Sequence, residues 1–367
     1  MTNNHVVDGA ETVDVTTSDG SVHRAKVIGT DQKTDLALIK VDGAGNFPYV
    51  AFSHNAPRVG DWALAVGNPF GLGGTVTAGI VSANGRDIGE GPYDDFIQLD
   101  APINKGNSGG PTFDVDGNVM GVNTAIYSPS GGSVGIGFAI PADTAKAVIA
   151  QLKDKGVVPR GWIGVQAQPV DSDIAAGLGL EKAEGVLVDE SQQDSPAAKA
   201  GVAAGDVITA LDGVPLKDSR ELARKIGSMA PGTSVNLSIL RNGEDKTLAL
   251  TLGEAPNERK ASSGAETSRA PASDGSRFGL TLAAAGDVAD AGSKGVVVVA
   301  VDPGGTAADQ GFEVGNIILD VNKKAVSTPS DMRTALSEAE SQGRRVVLMR
   351  VKSGNATVFI ALPLKRN

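Results

Sequence analysis

Residues 196 to 208 and 306 to 318 of this 367-residue chain are two copies of one pattern. Gly201 and Gly205 align with Gly311 and Gly315 at a constant separation of 110 residues, and Val207-Ile208 falls against Ile317-Ile318. The same separation pairs Asp218 with Thr328 and Glu221 with Asp331, so each copy carries the side chains of a capping-box-like helix start. Pro329 takes the first helical position of the second copy, where its missing N–H is harmless. Helices are expected over roughly 219–229 and 329–340. A chain that repeats itself in this way must fold its C-terminal half as two small domains of one kind. Between them, residues 254–276 are rich in Ala, Ser, Gly, Pro and charge without an apolar period, the composition of a flexible linker.

The N-terminal half has another rhythm. Short alternating segments, Thr12 to Thr17, Ser21 to Val27, Trp62 to Val66 and Phe96 to Leu99, are separated by Gly, Pro and Asp turns, as in an all-β barrel. The alternating run Thr112 to Asn123 also reads as strand. The first helical period comes at Pro141 to Lys155, with Ala145, Val148, Ile149 and Leu152 on one face, and should close the domain. The fold class expected is therefore mainly β. A formal charge of −10 argues against nucleic acid or an anionic membrane as partner. No run reaches membrane-spanning length and no signal segment is apparent, so no integral membrane segment is expected. With no cysteine and three scattered histidines, catalytic thiols, disulfides and a catalytic metal are not expected, and no cofactor is called for.

The chemistry is concentrated in Gly106-Asn107-Ser108-Gly109-Gly110-Pro111. Gly-x-Ser-x-Gly also fits a nucleophile elbow, whose triad runs Ser, acid, His, but His5, His23 and His54 all precede Ser108. An Asp, His, Ser order would put the serine at a helix start, whereas Pro111 and an alternating run follow it here. The order His, Asp, Ser remains. His5 is the candidate base, Ser108 the nucleophile, and Asp35, opening the apolar run Leu36-Ala37-Leu38-Ile39, the orienting carboxylate, expected to be buried at a strand start. Glycines around Ser108 allow the tight turn that lets the Gly106 and Ser108 amides converge on an oxyanion. His23, on an alternating strand, reads as structural, and His54 as a loop residue.

Several motifs stand together: Thr2-Asn3-Asn4-His5-Val6-Val7, Thr34-Asp35-Leu36-Ala37-Leu38-Ile39, Gly67-Asn68-Pro69-Phe70-Gly71, Gly106-Asn107-Ser108-Gly109-Gly110 and Gly135-Ile136-Gly137-Phe138-Ala139-Ile140-Pro141. With them the chain resembles the HtrA/Deg family of serine proteases with two PDZ domains. The resemblance implies a chymotrypsin-like double β-barrel over 1–157, PDZ domains over 158–253 and 277–367, and the linker 254–276 between. Only four residues precede His5, so the first barrel is expected to be incomplete, with the family's signal peptide and N-terminal trimer contacts upstream. It implies an ATP-independent, periplasmic endopeptidase for misfolded proteins that acts as a homotrimer or higher oligomer. Arg86 resembles an activating arginine, within one of two regulatory loops, Gly85 to Asp95 and Ile126 to Val134. The wall Ala101 to Lys105 carries no acidic residue, which implies a small or branched aliphatic side chain before the scissile bond. The PDZ resemblance implies capture of unfolded chains and peptide C-termini by strand addition, with Trp162, Ile163, Gly164 and Val165 in one carboxylate-binding loop and Phe278, Gly279 and Leu280, after Arg277, in the other. The competing class is a chaperone-like or peptide-binding protein whose protease domain is inactive for want of its first strands.

Overall fold

The computed structural model describes residues 1–43, 47–255, 278–288, 292, 294–354 and 356–364. Two compact units result, Met1–Pro159 and Arg160–Asn367.

In the first unit, β1 (Thr12–Thr16), β2 (Val22–Asp31) and β3 (Leu36–Val41) form an antiparallel three-stranded sheet. The strands β4 (Trp62–Gly67), β5 (Thr75–Arg86), β6 (Phe96–Leu99), β7 (Pro111–Phe113), β8 (Val119–Ile126) and β9 (Gly137–Pro141) close into a barrel in the order β4-β5-β6-β9-β8-β7. Ala63, Ala65, Val81, Ile97, Leu99, Ile103 and Met120 fill it. The alternating run after Pro111 is not one strand but two, because Asp114 accepts the amides of Asp116 and Asn118 and turns the chain back on itself. Similarly, β2 runs past Val27 to Asp31 through a bulge between Val27 and Gly29. Gly29 passes so close to the Gly156 backbone that any Cβ there would collide with it. Gly156, with φ of 73°, ends α1 (Ala142–Lys155), whose Ala145, Val148 and Leu152 are buried against Leu36, Val122, Phe138 and Ile140.

The second unit contains the repeat. Strands β10 (Gly161–Trp162) and β17 (Gly253–Glu254) make a small ribbon, and β11 (Val165–Pro169), β12 (Val186–Ser191), β13 (Val207–Leu211), β15 (Ser234–Arg241) and β16 (Glu244–Thr251) a sheet in that order, with β14 (Val214–Pro215) on β13. Helices α2 (Ser172–Leu178), α3 (Pro196–Lys199) and α4 (Ser219–Ser228) complete the first copy. The second copy repeats the order with β18 (Leu280–Ala284), β19 (Val296–Val301), β20 (Ile317–Val321), β22 (Val346–Ser353) and β23 (Ala356–Pro363), β21 (Lys324–Ala325) lying on β20. Its helices are α5 (Thr306–Asp309) and α6 (Pro329–Ser341). Each copy has its own core, around Val186, Ile208, Leu237 and Ile239 in the first and Val296, Ile318, Met349 and Leu362 in the second. A further cluster joins them: Val170, Ile174, Leu187 and Val207 of the first pack on Leu348, Phe359 and Ala361 of the second. Of the expected linker, Glu254 belongs to β17 and residues 256–276 lie outside the described residues, as does Arg277.

Candidate active site

His5 occupies a short 3-10 turn, Asn4–Val6, fixed to the sheet by a reciprocal backbone pair between Thr2 and Ala37 and by the Asn4 amide on the Asp35 carbonyl. Asp35 stands one residue ahead of β3 at a φ of 54°. There its Oδ1 accepts the His5 amide at 2.9 Å, and its Oδ2 lies 2.6 Å from His5 Nδ1 and accepts Thr124 Oγ1 at 2.7 Å. Both oxygens are thus engaged, and the buried Asn3 side chain donates to the Asp35 carbonyl at 2.9 Å. With the carboxylate on Nδ1, that nitrogen carries the ring proton and Nε2 is left as the acceptor.

The expectation of a buried Asp35 is corrected. Its side chain is 26% exposed and that of His5 50%. The left-handed backbone at Asp35 turns its carboxylate along the rim toward Thr124, while the next residue, Leu36, enters the core.

Ser108 lies in the loop between β6 and β7, tied on both flanks. Asn68 and Phe70 donate to the Gly106 and Lys105 carbonyls, Asn107 to Asn104, and Gly109 and Asn123 exchange bonds across the loop with Asn123 and Gly110. Gly106 has a φ of 105°, and a Cβ there would strike the Asn68 backbone, so only glycine serves. The Gly106 and Ser108 amides donate to no protein acceptor among the described residues. Ser108 Oγ donates to the Thr124 carbonyl at 3.3 Å. Beneath, Thr112 Oγ1 donates to Asn123 Oδ1 at 2.5 Å, both residues fully buried.

Thr124 therefore touches both halves of the site, its hydroxyl on Asp35 and its carbonyl under Ser108. The sequence alone singles out neither Thr124 nor Asn123, and Asn3 stands in the motif around His5 with no mark of its own. Nothing in the local pattern of β8 marks residue 124, because its role depends on an 89-residue separation from Asp35.

Arg86, exposed at the end of β5, donates from Nε to Gln98 Oε1 at 2.8 Å. In the other proposed regulatory loop, the Ser133 amide donates to Asn104 Oδ1 at 2.9 Å, joining that loop to the wall upstream of Ser108. A cavity of about 710 Å³ around His54, Arg58, Trp62 and Asp116 includes none of the candidate catalytic residues. No group of side chains able to hold a metal ion occurs among the described residues.

In each repeat the outermost strand, β11 or β18, has one sheet edge unpaired among the described residues and a helix, α4 or α6, beside it. The loops before these strands superpose in their bonding: the Ala197 amide donates to the Ile163 carbonyl and Gln192 to Gly164, as Ala307 does to Phe278 and Asp302 to Gly279. Gly164 and Gly279 have φ of 75° and 83°. The Ile163, Gly164 and Gly279 amides donate to no acceptor among the described residues. Trp162 lies over Gly164 and against Gly253, bracing the loop. Val165 and Leu280 open the edge strands.

The model of a trypsin-like peptidase domain matches residues 1–122, and that of a PDZ domain matches 161–252 and 275–361. A protein of Brucella suis biovar 1 (strain 1330), named a probable periplasmic serine endoprotease DegP-like, is 51% identical over 371 residues, covering all of this chain and 71% of its own length. A like-named protein of Rhizobium meliloti (strain 1021) is 47% identical over 99% of this chain and 73% of its own length. Among solved structures, the HtrA-type protease AlgW with a decapeptide matches at a TM-score of 0.65 and 43% identity, covering 70% of this chain and 79% of that one. The serine endoprotease from Yersinia pestis matches at 0.56 and 37%, covering 70% and 84%. The chain belongs to the HtrA/DegP-like family of serine endoproteases, with a trypsin-like peptidase domain followed by two PDZ domains. It is a serine-type endopeptidase of that kind.

Proposed function

We propose that this protein is an ATP-independent endopeptidase of misfolded proteins, acting in the periplasm, with His5, Asp35 and Ser108 as its catalytic triad. The observation that carries this reading is the arrangement around Thr124, which sets an oriented His5–Asp35 pair and a serine flanked by two undonated amides on one residue. His5 Nε2 takes the Ser108 proton as Oγ attacks the peptide carbonyl, then gives it to the leaving amine. Asp35 holds the ring and balances the imidazolium. The Gly106 and Ser108 amides receive the oxyanion, the term that usually contributes most to such catalysis. To react, the Ser108 hydroxyl leaves the Thr124 carbonyl, a weak 3.3 Å bond. The wall Ala101 to Lys105, which carries no acidic residue, favours a small or branched residue before the scissile bond, and Arg86 exchanges Gln98 for the Ser108 loop when the enzyme is activated.

The relatives are named as probable periplasmic endoproteases, and the decapeptide of the AlgW structure supports peptide capture by the PDZ loops. In this chain the amides of Ile163 and Gly164, and of Gly279 beside Phe278 and Leu280, receive a peptide C-terminal carboxylate while the peptide pairs with β11 or β18. Family-like trimers or higher oligomers gather several such grooves around each catalytic site.

The test is labelling of the purified chain with a fluorophosphonate probe, with a Ser108→Ala control and a reduced, unfolded protein as substrate. Labelling and cleavage that both vanish in the control support the triad. A folded chain that neither labels nor cleaves, yet retains peptide binding, would establish the chaperone-like reading instead.

A further inference from the structure

At one equivalent position the two repeats make opposite choices. Asp189 on β12 and Val299 on β19 stand 110 residues apart, as do Leu187 and Val297 two residues earlier. Asp189 is 3% exposed and its Oδ1 has no hydrogen-bond partner among the described residues. An unpaired buried carboxylate is costly, and the second repeat shows that the fold does not require one there.

Asp189 lies where the repeats meet. Gln168, on the neighbouring strand, closes both backbone groups of Phe359 on the outer edge of β23: its amide donates to the Phe359 carbonyl at 2.9 Å and accepts the Phe359 N–H at 2.8 Å. Thr357 Oγ1 reaches Glu190 Oε2 at 3.5 Å, and Leu187 and Val207 pack against Phe359 and Ala361. Charged groups on the surrounding elements are Glu190 on β12, Asp206 tied to Arg241, Asp173 on α2, Arg350 tied to Asp320, and Lys352; β11 and β23 have none among their described residues. Among the described residues no cation is thus bonded to Asp189. Burial pushes its carboxyl up to about 7, opposed only by the Phe359 N–H.

We propose that Asp189 is a proton-gated latch between the two PDZ domains, its neutral form holding β23 against β11 and β12 and its ionised form releasing the second domain. The sign follows from linkage. An exposed Asp189 ionises near its ordinary value of 3.8, whereas the docked one holds its proton to about 7, so docking takes up a proton. Docking is strongest at acid pH, weakens by up to about tenfold per pH unit as the pH rises toward 7, and levels off above it, where the carboxylate is charged in both states. This device is separate from the peptidase chemistry and would set how far apart the two peptide grooves can move.

The chain has no cysteine, so Val214→Cys and Val314→Cys, both at exposed sites, allow a spin-label pair with one label on each domain. Distances are measured in the full chain, diluted into unlabelled chain, at pH 5 and pH 8. The expected result is one short distance at pH 5 and a longer population that grows at least about tenfold by pH 8. In Asp189→Asn the short distance should persist at both. Identical distributions in the parent chain, or an unchanged pH response in Asp189→Asn, would overturn the latch. Should Asp189→Asn not fold, Asp189→Val, the residue type of the second repeat, makes the same test.

Discussion

The two halves of the protease unit hold their catalytic candidates in different ways. His5 and Asp35 sit at the rim of an open three-stranded sheet, half and a quarter exposed. Ser108 stands on a loop bonded from both sides into a closed barrel, above the fully buried Thr112 and Asn123. A base must exchange protons with substrate and water, so it needs orientation from one carboxylate and little else. A nucleophile between two oxyanion donors needs its backbone held to within a fraction of an ångström, and that takes buried support. The base side should therefore tolerate substitution without unfolding, and the nucleophile side should not.

The sharpest test removes the chemistry from each side in turn. Ser108→Ala and His5→Ala should each lower kcat by about 10⁴-fold or more, measured on an unfolded protein substrate, while His5→Ala leaves the melting temperature nearly unchanged. A large melting shift in His5→Ala would break the comparison. Next comes the loop's backbone. Gly110→Ala drives a methyl group into the Val66 carbonyl, and should destabilise the unit by about 2–3 kcal/mol in urea unfolding as well as abolish probe labelling. Thr112→Val leaves Asn123 Oδ1 buried without that donor and should cost about 1–3 kcal/mol by the same measurement. The smallest effect is expected where the halves meet. Thr124→Val keeps the carbonyl under Ser108 but loses the hydroxyl on Asp35, so kcat should fall about tenfold with KM little changed. If Thr124→Val instead unfolds the unit, the residue belongs to the barrel's support rather than to the base.

The repeats show how far pattern reading reaches. The helix starts lie where the 110-residue separation put them, at Ser219 and Pro329, because capping is local chemistry. Their details differ. Thr328 and Asp331 complete a reciprocal capping box, whereas Glu221 accepts the Lys217 amide instead of the Asp218 one. Likewise Asp206 and Asn316 each cap the same turn, accepting the Ala203 and Glu313 amides, but Asp206 also binds Arg241 and Asn316 binds Ser353. Substitutions at matched positions were visible in the sequence; their partners were not, since those come from strands 35 and 37 residues away. The packing of one repeat on the other is not legible in the sequence for a similar reason, since nothing local to Val170, Ile174 or Leu348 marks them as partners across the two repeats.

By itself the sequence determined the β-rich protease region, the doubled module after it, and the order His5, Asp35, Ser108, because turn chemistry, capping and motif spacing act over a few residues. Tertiary structure alone decided that Asp35 faces the rim rather than the core, that Thr124 joins Asp35 to Ser108, and that Asp189 is sealed between two domains. Each of these depends on which distant strands a closed barrel or a packed sheet brings together, and on the water that packing removes.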